Sequence, residues 1–221
     1  KGVNLTLNDG DFVTVIGSNG AGKSTLMKQI AGIEQPSAGK MYMDGQEVYF
    51  KDTNAARAKG IGIIHQELSL FPNMTVYQNI FMGHEKKKGF FLDDKAHSEG
   101  AKKILQRLEH EIPPETMVGD LRVGQQQMVE IARNLNQDDL RVLIMDEPTR
   151  GIDVGAKYEI YELIINMAKQ GKTVIVVSSE MPEILGITNR IGVMSNGRLS
   201  GIVNTKETNQ EELLRLSAKY L

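Results

Sequence analysis

One stretch, lying between a strand pattern and a helix pattern, constrains the fold of this chain more than any other. Its residues are Gly17, Ser18, Asn19, Gly20, Ala21, Gly22, Lys23, Ser24 and Thr25. The apolar, β-rich run at 11–16 precedes it, and a helical pattern begins at Leu26. The glycines allow a tight turn whose backbone N–H groups surround anionic oxygens, and the helix start adds further free N–H groups. The stretch therefore predicts a phosphate-binding loop at a strand-to-helix junction.

Two side chains of this loop indicate a nucleoside triphosphate as its ligand. Lys23 is long enough to reach β- and γ-phosphates, and the Ser24 hydroxyl can ligate Mg²⁺. The alternative is a glycine-rich turn that binds nothing, but the complete spacing and both flanks favour the phosphate site. The sequence thus predicts that a nucleoside triphosphate binds here with Mg²⁺.

Two carboxylates follow an apolar run later in the chain. The run at 142–145 is typical of a parallel strand that is buried on both faces. Asp146 and Glu147 come at its carboxyl end, where α/β sheets place their ligands. We expect Asp146 to hold Mg²⁺ through water, and Glu147 to polarise the water that attacks the γ-phosphate. Taken alone, the pair would better fit a solvated turn; the phosphate loop is what favours catalysis.

Strand and helix patterns alternate along most of the chain, which predicts an α/β fold with a mostly parallel sheet. Two short strands around Gly45 are expected to form a small antiparallel β-subdomain. From 68 to 120 the pattern becomes helical. We therefore predict a P-loop core made of 1–67 and 121–221, with a helical subdomain inserted at 68–120.

Composition limits the classes of function. The net charge of −2 argues against a broad nucleic-acid-binding face, and the chain has no cysteine for a disulfide framework or a thiol nucleophile. No apolar run approaches the length of a membrane span. Alternating residues at 3–7 predict one more strand. The lysine run at 86–88 is predicted to lie in a loop, as solvated charge or, in the rarer alternative, against a membrane surface.

Several elements, in order, resemble the nucleotide-binding subunit of an ABC transporter. Residues 17–25 are similar to a Walker A motif, 142–147 to a Walker B motif, and Gln66 to the glutamine after the third core strand. The run at 121–127 resembles the family signature Leu-Ser-Gly-Gly-Gln, and 151–153 lies where the D-loop belongs. This ordered set covers nearly the whole chain and is highly specific.

The resemblance implies a homodimer, or a paired nucleotide-binding domain, with ATP and Mg²⁺ held between the two halves. The Walker A residues of one half and Arg122, Gly124 and Gln125 of the other would bind the nucleotide. Gln66 would ligate Mg²⁺ and sense both the γ-phosphate and a membrane-spanning partner subunit, on which the helical insertion docks. Such a protein is peripheral, at the cytoplasmic face of the cell membrane, and no nucleic-acid partner is expected.

The finer resemblance is to the ATPase subunits of ribose, galactose and xylose importers, which carry two nucleotide-binding domains in one polypeptide. Residues 65–68 and 124–132 are similar to their first domain, whereas 146–157 and 178–183 are similar to their second. A natural single-domain variant, an internal deletion and a designed fusion all fit this mixture. The expected function is ATP-driven import of a carbohydrate whose identity this chain does not encode.

Three features depart from the family pattern. Arg122 and Val123 replace Ser and Gly in the signature, so Arg122 can clamp phosphate, obstruct closure, or simply face solvent. Ser179 stands where most members place a histidine that contacts the γ-phosphate, and a hydroxyl cannot carry charge there. No residue at 1–11 matches the aromatic side chain that stacks on adenine.

The departures predict slow hydrolysis, with Glu147, Gln66, Ser179 and Lys23 as the catalytic residues. Two alternatives remain beside the importer ATPase. One is a nucleotide-binding module with weak or no hydrolysis, and the other is a non-transport ABC ATPase.

Overall fold

The structure, a computed structural model, describes residues 2–136 and 139–220. Lys1 and Leu221, the outer limits of the predicted core, lie outside these residues. The chain forms two compact units: the first comprises Lys1–Ile63, Asp139–Pro148 and Ile164–Leu221, and the second comprises Ile64–Asp138 and Thr149–Leu163. A helical subdomain at 68–120 stays a prediction. The second unit contains those residues, but it begins before 68, continues past 120 and also includes Thr149–Leu163.

Strands and helices alternate as the sequence pattern predicts. In chain order they are β1 (Phe12–Gly17), α1 (Lys23–Ile30), β2 (Met41–Met43), β3 (Gln46–Val48), α2 (Thr53–Arg57), β4 (Ile61–Ile64), α3 (Val76–Phe81), β5 (Lys87–Lys88), β6 (Phe91–Leu92), α4 (Asp94–Arg107), α5 (Val123–Leu135), β7 (Val142–Asp146), α6 (Val154–Lys169), β8 (Thr173–Val177), α7 (Met181–Ile187), β9 (Arg190–Ser195), β10 (Arg198–Asn204) and α8 (Gln210–Ser217).

The main sheet has six strands in the order β10–β9–β1–β8–β7–β4. Strand β1 pairs in parallel with β8 and β9, and β7 pairs in parallel with β8, whereas β10 is antiparallel to β9. Strands β2 and β3 form a separate antiparallel hairpin. The α/β fold with a mostly parallel sheet and a small antiparallel subdomain is therefore confirmed.

The core of the first unit lies on both faces of this sheet. Val15 of β1 belongs to a buried cluster with Met27 of α1, whereas the next residue, Ile16, packs in a second cluster with Ile184 of α7 and Leu213 of α8. Successive side chains of a strand point to opposite faces. Because helices cover both faces, β1 and β8 are apolar without alternation, and the carboxyl ends of the strands are left for polar residues.

In the second unit, α3 packs against α4 and α5. Thr75 and Gln78 form a capping box at the start of α3. Asn79 is fully buried, and its side chain bonds the backbone of Phe71, Met74 and Thr75, so it fixes the loop that precedes the helix. None of the helices in the described ranges combines the length and apolar character needed to cross a lipid bilayer.

Two local predictions were wrong. Residues 3–7 form no strand, although Val3 and Leu7 pack against the core, because their alternation comes from this one-sided burial and not from a ladder. Lys87 and Lys88 are not in a loop but form β5, which pairs with β6 through a turn at Gly89 and Phe90. Gly89 has a φ of 65°, the backbone conformation that a tight hairpin turn requires.

Candidate functional site

The phosphate-loop residues connect β1 to α1. Gly17 has a φ of 153°, and a Cβ atom there would lie 2.3 Å from the Met194 carbonyl oxygen, so no larger residue fits. Gly22 has a φ of 95° and is the N-cap of α1. Ala21 and Lys23 are buried, whereas the remaining loop positions are more open to solvent; these are Gly17, Ser18, Asn19, Gly20, Gly22, Ser24 and Thr25.

The start of α1 fits an anionic ligand. No side chain caps this helix, and its first turn contains no acidic residue. Helix-terminal N–H groups without a capping partner, together with the positive end of the helix dipole, attract phosphate oxygens. The glycine turn and the uncapped helix start therefore form one surface of backbone donors.

Lys23 lies along the loop that precedes it. Its Nζ atom donates hydrogen bonds to the carbonyl oxygens of Gly17 and Ser18, at 2.8 and 3.1 Å. The side chain is 9% exposed. The ammonium group is thus held at the loop by two backbone acceptors, in the place where it can also contact phosphate oxygens.

The two predicted Mg²⁺ ligands of the first unit are in contact. Ser24 Oγ donates a hydrogen bond to Asp146 Oδ2 at 3.0 Å. A hydroxyl and a carboxylate are the hard oxygen ligands that Mg²⁺ takes in phosphate sites, where waters and substrate oxygens supply the others. The donor set therefore fits this cation.

Glu147 lies beside Ser179, as the adjacent strands β7 and β8 predict. Glu147 Oε2 accepts two hydrogen bonds of 3.2 Å from Ser179, one from the backbone N–H and one from Oγ. The Glu147 N–H donates to the Val177 carbonyl at 2.8 Å, which continues the pairing one residue beyond β7. One carboxylate oxygen is thus restrained, and the other has no protein hydrogen-bond partner among the described residues.

The backbone of Glu147 is in the left-handed region, with a φ of 50°. A non-glycine residue adopts this conformation at a cost of about 1–3 kcal/mol, and such residues cluster at functional sites. Here the conformation turns the Glu147 side chain toward Ser179 at the carboxyl end of the sheet. The sequence carried no signal of it.

The other predicted site residues belong to the second unit. Gln66 is exposed and follows β4. Arg122 is exposed at the N-cap of α5, and its backbone N–H donates to Gln125 Oε1 at 3.1 Å. Gly124 is buried, and a Cβ atom there would lie 2.7 Å from Ala156 Cβ of α6. Gly124 thus allows close packing between α5 and α6, and Gln125 caps the start of α5. These structural roles are separate from any contact with a nucleotide.

Sequence reasoning missed a hairpin turn that braces the loop. The Gly197 N–H donates to the Ala21 carbonyl at 2.9 Å, and Gly197 Cα lies 3.4 Å from the position of a Cβ atom on Gly22. Asn196 and Gly197 have φ values of 45° and 75° and connect β9 to β10. The Asn-Gly pair was a signal for the turn but not for its contact with the loop.

Comparison with known proteins gives a consistent picture. A family model described as ABC transporter matches residues 1–150. The galactose/methyl galactoside import ATP-binding protein MglA of Treponema denticola is 45% identical over 99% of this chain and 45% of its own length. The ribose import ATP-binding protein RbsA of Rhodopirellula baltica is 41% identical over 97% of this chain and 42% of its own length. The chain thus spans less than half the length of these curated relatives.

Solved structures share the fold. A nucleotide-free ATP-binding cassette from an ABC transporter has a TM-score of 0.83 at 26% identity, covering 97% of this chain and 87% of its own. A dimeric post-hydrolysis state of an ATP-binding cassette, bound to ADP and Pi, has a TM-score of 0.77 at 26% identity, covering 94% of this chain and 91% of its own.

Proposed function

This chain belongs to the ABC transporter family, and from that premise we propose that it is an ATP-hydrolysing domain that powers import of a carbohydrate. The single observation that carries the proposal is the contact of Ser24 with Asp146, next to the Glu147–Ser179 pair. Both contacts lie within the first unit, and they support the proposed roles of the loop, the metal ligands and the base. The import names of the curated relatives support a sugar as the cargo.

Four residues of the first unit would act on bound MgATP. Lys23 would contact the β- and γ-phosphates together with the loop N–H groups. Ser24 would hold Mg²⁺ directly and Asp146 through water. When bound, the cation would neutralise part of the negative charge on the phosphates. The loop residues orient the triphosphate for attack in line with the leaving oxygen.

Glu147 would act as the general base. Its restrained Oε2 leaves Oε1 to accept a proton from a water molecule, whose oxygen forms the new bond to the γ-phosphorus. The bond between that phosphorus and the oxygen bridging to the β-phosphate breaks, and ADP and phosphate leave. Ser179 is a positioning residue in this scheme, because its N–H and Oγ hold the carboxylate in one orientation.

The second unit would supply the partner contacts. In the proposed dimer, Arg122, Gly124 and Gln125 of one domain contact the nucleotide on the other, and the domain predicted at 68–120 docks on a membrane-spanning subunit. The protein would then lie at the cytoplasmic face of the membrane. Relatives about twice as long as this chain, and dimeric solved cassettes, support a paired arrangement.

The ATPase rate as a function of protein concentration tests this proposal. With Mg²⁺ present, a rise steeper than linear is expected, because hydrolysis needs two domains. The matched control is the same titration with EDTA, in which turnover should stop. A rate that is absent at every concentration would reject the hydrolytic function.

One observation favours a second candidate, a nucleotide-binding module with weak or no hydrolysis. Ser179 has no ring nitrogen to reach the γ-phosphate, and both of its donors are already used on Glu147. Tight nucleotide binding without turnover in the concentration series would select this candidate.

A further inference from the structure

The hairpin of β5 and β6 exposes a cluster of large apolar side chains. Phe90, Phe91 and Leu92 are exposed by 103%, 80% and 53%. Lys86, Lys87 and Lys88 precede them along the chain, so we call residues 86–92 the basic–aromatic hairpin. Clustered exposed apolar side chains mark an interaction site, whereas single ones do not.

The pairing of the hairpin combines charge and apolar surface. Lys88 lies opposite Phe91, and Lys87 lies opposite Leu92. Directly opposed residues of an antiparallel pair lie on the same face, so each face presents one lysine beside one apolar side chain. Phe90 is in the turn itself. The result is a convex tip with cations behind it.

The base of the hairpin is fixed to the second unit. The Lys86 N–H donates to Nε2 of His97 at 2.7 Å, and the Asp93 N–H donates to the Lys86 carbonyl at 3.0 Å. His97 is 2% exposed, and its ring centroid lies 5.0 Å from that of Phe81. A buried side chain therefore holds the base, while the tip extends into solvent.

The charge of the tip is cationic. The basic–aromatic hairpin contains no carboxylate. The flanking Glu85 and Asp93 accept backbone hydrogen bonds from Gly83 at 2.9 Å and from Ala96 at 3.0 Å, so these carboxylates are held at the base of the hairpin. Asp94 Oδ1, also at the base, lies 3.8 Å from His97 Nδ1. A cationic surface attracts anions, and an aromatic tip prefers an environment less polar than water.

We propose that the basic–aromatic hairpin binds the surface of a membrane that contains anionic lipid. Phe90 and Phe91 enter the boundary between headgroups and acyl chains, and Lys87 and Lys88 contact lipid phosphates. Lys86 stays at the base, where its Nζ atom lies 5.3 Å from the Phe81 ring centroid. A convex tip fits a deformable lipid interface, and flexible lysine stems can follow headgroups that have no fixed positions. This binding depends on neither ATP hydrolysis nor sugar import.

A tryptophan reporter tests the insertion directly. The chain has no tryptophan, so Phe90→Trp gives it a single indole, at the tip of the hairpin. Its emission should shift to the blue on phosphatidylcholine vesicles that contain phosphatidylglycerol, and brominated acyl chains should quench it. Tyr42→Trp is the control, since Tyr42 is 63% exposed on the β2–β3 hairpin and its emission should not change.

Vesicle co-sedimentation tests the two chemical components. Phe90→Ser and Phe91→Ser should each weaken binding about tenfold. Lys87→Gln and Lys88→Gln should each weaken it about fivefold, and only on vesicles with phosphatidylglycerol. Lys102→Gln, exposed on α4, is the control of equal charge change and should bind like the parent. Unfolding curves that match the parent exclude loss of folding.

Three outcomes with vesicles of defined lipid would overturn the proposal. They are an unshifted Phe90→Trp emission, equal binding with and without phosphatidylglycerol, and hairpin variants that bind as tightly as the α4 control. A blue shift on native bacterial membrane vesicles, but not on liposomes of their extracted lipid, would assign the tip to a protein partner and equally reject the lipid surface.

Discussion

Ser24 Oγ donates a hydrogen bond to Asp146 Oδ2 at 3.0 Å, although 122 positions separate the two residues in sequence. Ser24 lies in the first turn of α1 and Asp146 at the end of β7. This contact joins a loop that fits phosphate to a carboxylate that fits a metal ion. It makes the first unit a candidate catalytic unit.

Lys23→Ala should abolish tight binding of MgATP, because it removes the side-chain ammonium that Gly17 and Ser18 hold at the loop. Lys28→Ala is the matched control on the same helix, since Lys28 pairs with Glu34 at 3.4 Å and is partly exposed. Titration with a fluorescent nucleotide measures both. Equal affinity in the two variants would remove Lys23 from the binding site.

Glu147→Gln should retain ATP binding while turnover falls by roughly 10²–10⁴-fold, the usual contribution of a general base. An amide in place of the carboxylate cannot accept the proton from water. ATP should then accumulate on a closed dimer, which size exclusion would detect. Glu159→Gln, an exposed change on α6, serves as control. Normal turnover in Glu147→Gln would assign the base to another residue.

The sequence predicted the parts of the site that depend on local pattern. The loop spacing predicted the turn between β1 and α1, and apolar runs predicted β7 and β8 as strands. Neighbouring carboxyl ends then brought Glu147 and Ser179 together. Contacts that depend on tertiary packing were not predictable, such as Gly197 against Ala21. The incorrectly predicted strand at 3–7 is a similar case. Alternating apolar residues indicate that one side of the segment is buried, but they do not show that its backbone pairs with another strand.

Gly124→Ala should lower the free energy of unfolding by about 1–3 kcal/mol, because its Cβ atom would lie 2.7 Å from Ala156 Cβ. Ala156→Gly removes the opposing methyl group, so the double variant should regain most of the loss. Urea unfolding of both single variants and of the double variant measures this coupling. Additive losses would show that the signature glycine has no packing role against α6.

Glu130 should make stability depend on pH. Burial raises the pKa of Glu130, and the nearby Arg133 and a backbone hydrogen bond from Ser69 offset only part of the effect. Its Oε2 atom has no hydrogen-bond partner within the part of the chain that the structure describes. Because the folded state binds this proton more tightly than the unfolded state, the contribution of Glu130 to stability is greatest at low pH and declines as pH rises through the folded-state pKa.

Glu130→Gln resembles the protonated acid and should therefore unfold at higher urea concentration than the parent at neutral pH. The difference should shrink as the pH falls toward about 4.3, the ordinary pKa of a glutamate. Glu99→Gln, exposed on α4, should show no such trend. A difference that does not change with pH would mean that Glu130 is not the group that titrates.

Ser179 is expected to limit the rate of ATP hydrolysis without affecting the fold. Ser179 uses its N–H and Oγ on Glu147 Oε2, so no side-chain donor remains for the γ-phosphate. The loss of one positioned donor typically costs on the order of 10²–10³ in rate. We therefore expect that the protein binds ATP tightly but hydrolyses it slowly. Ser179→His should raise turnover and leave affinity nearly unchanged, because the backbone N–H still holds Glu147 while the ring reaches further.

Ser179→Ala separates the contribution of the backbone N–H from that of the hydroxyl, since it keeps the backbone hydrogen bond to Glu147 and removes only the hydroxyl. Its turnover should fall below that of the parent, whereas Ser179→His should exceed it. Arg122→Ser is combined with Ser179→His because the longer, charged arginine in the signature can obstruct closure of the dimer. Such an obstruction would hide any increase in turnover from the histidine. Single-turnover rates at saturating ATP measure all four proteins. If neither histidine variant hydrolyses ATP faster than the parent, Ser179 does not limit the rate. If Ser179→Ala is as fast as the parent, the role assigned to the Ser179 hydroxyl at Glu147 is wrong.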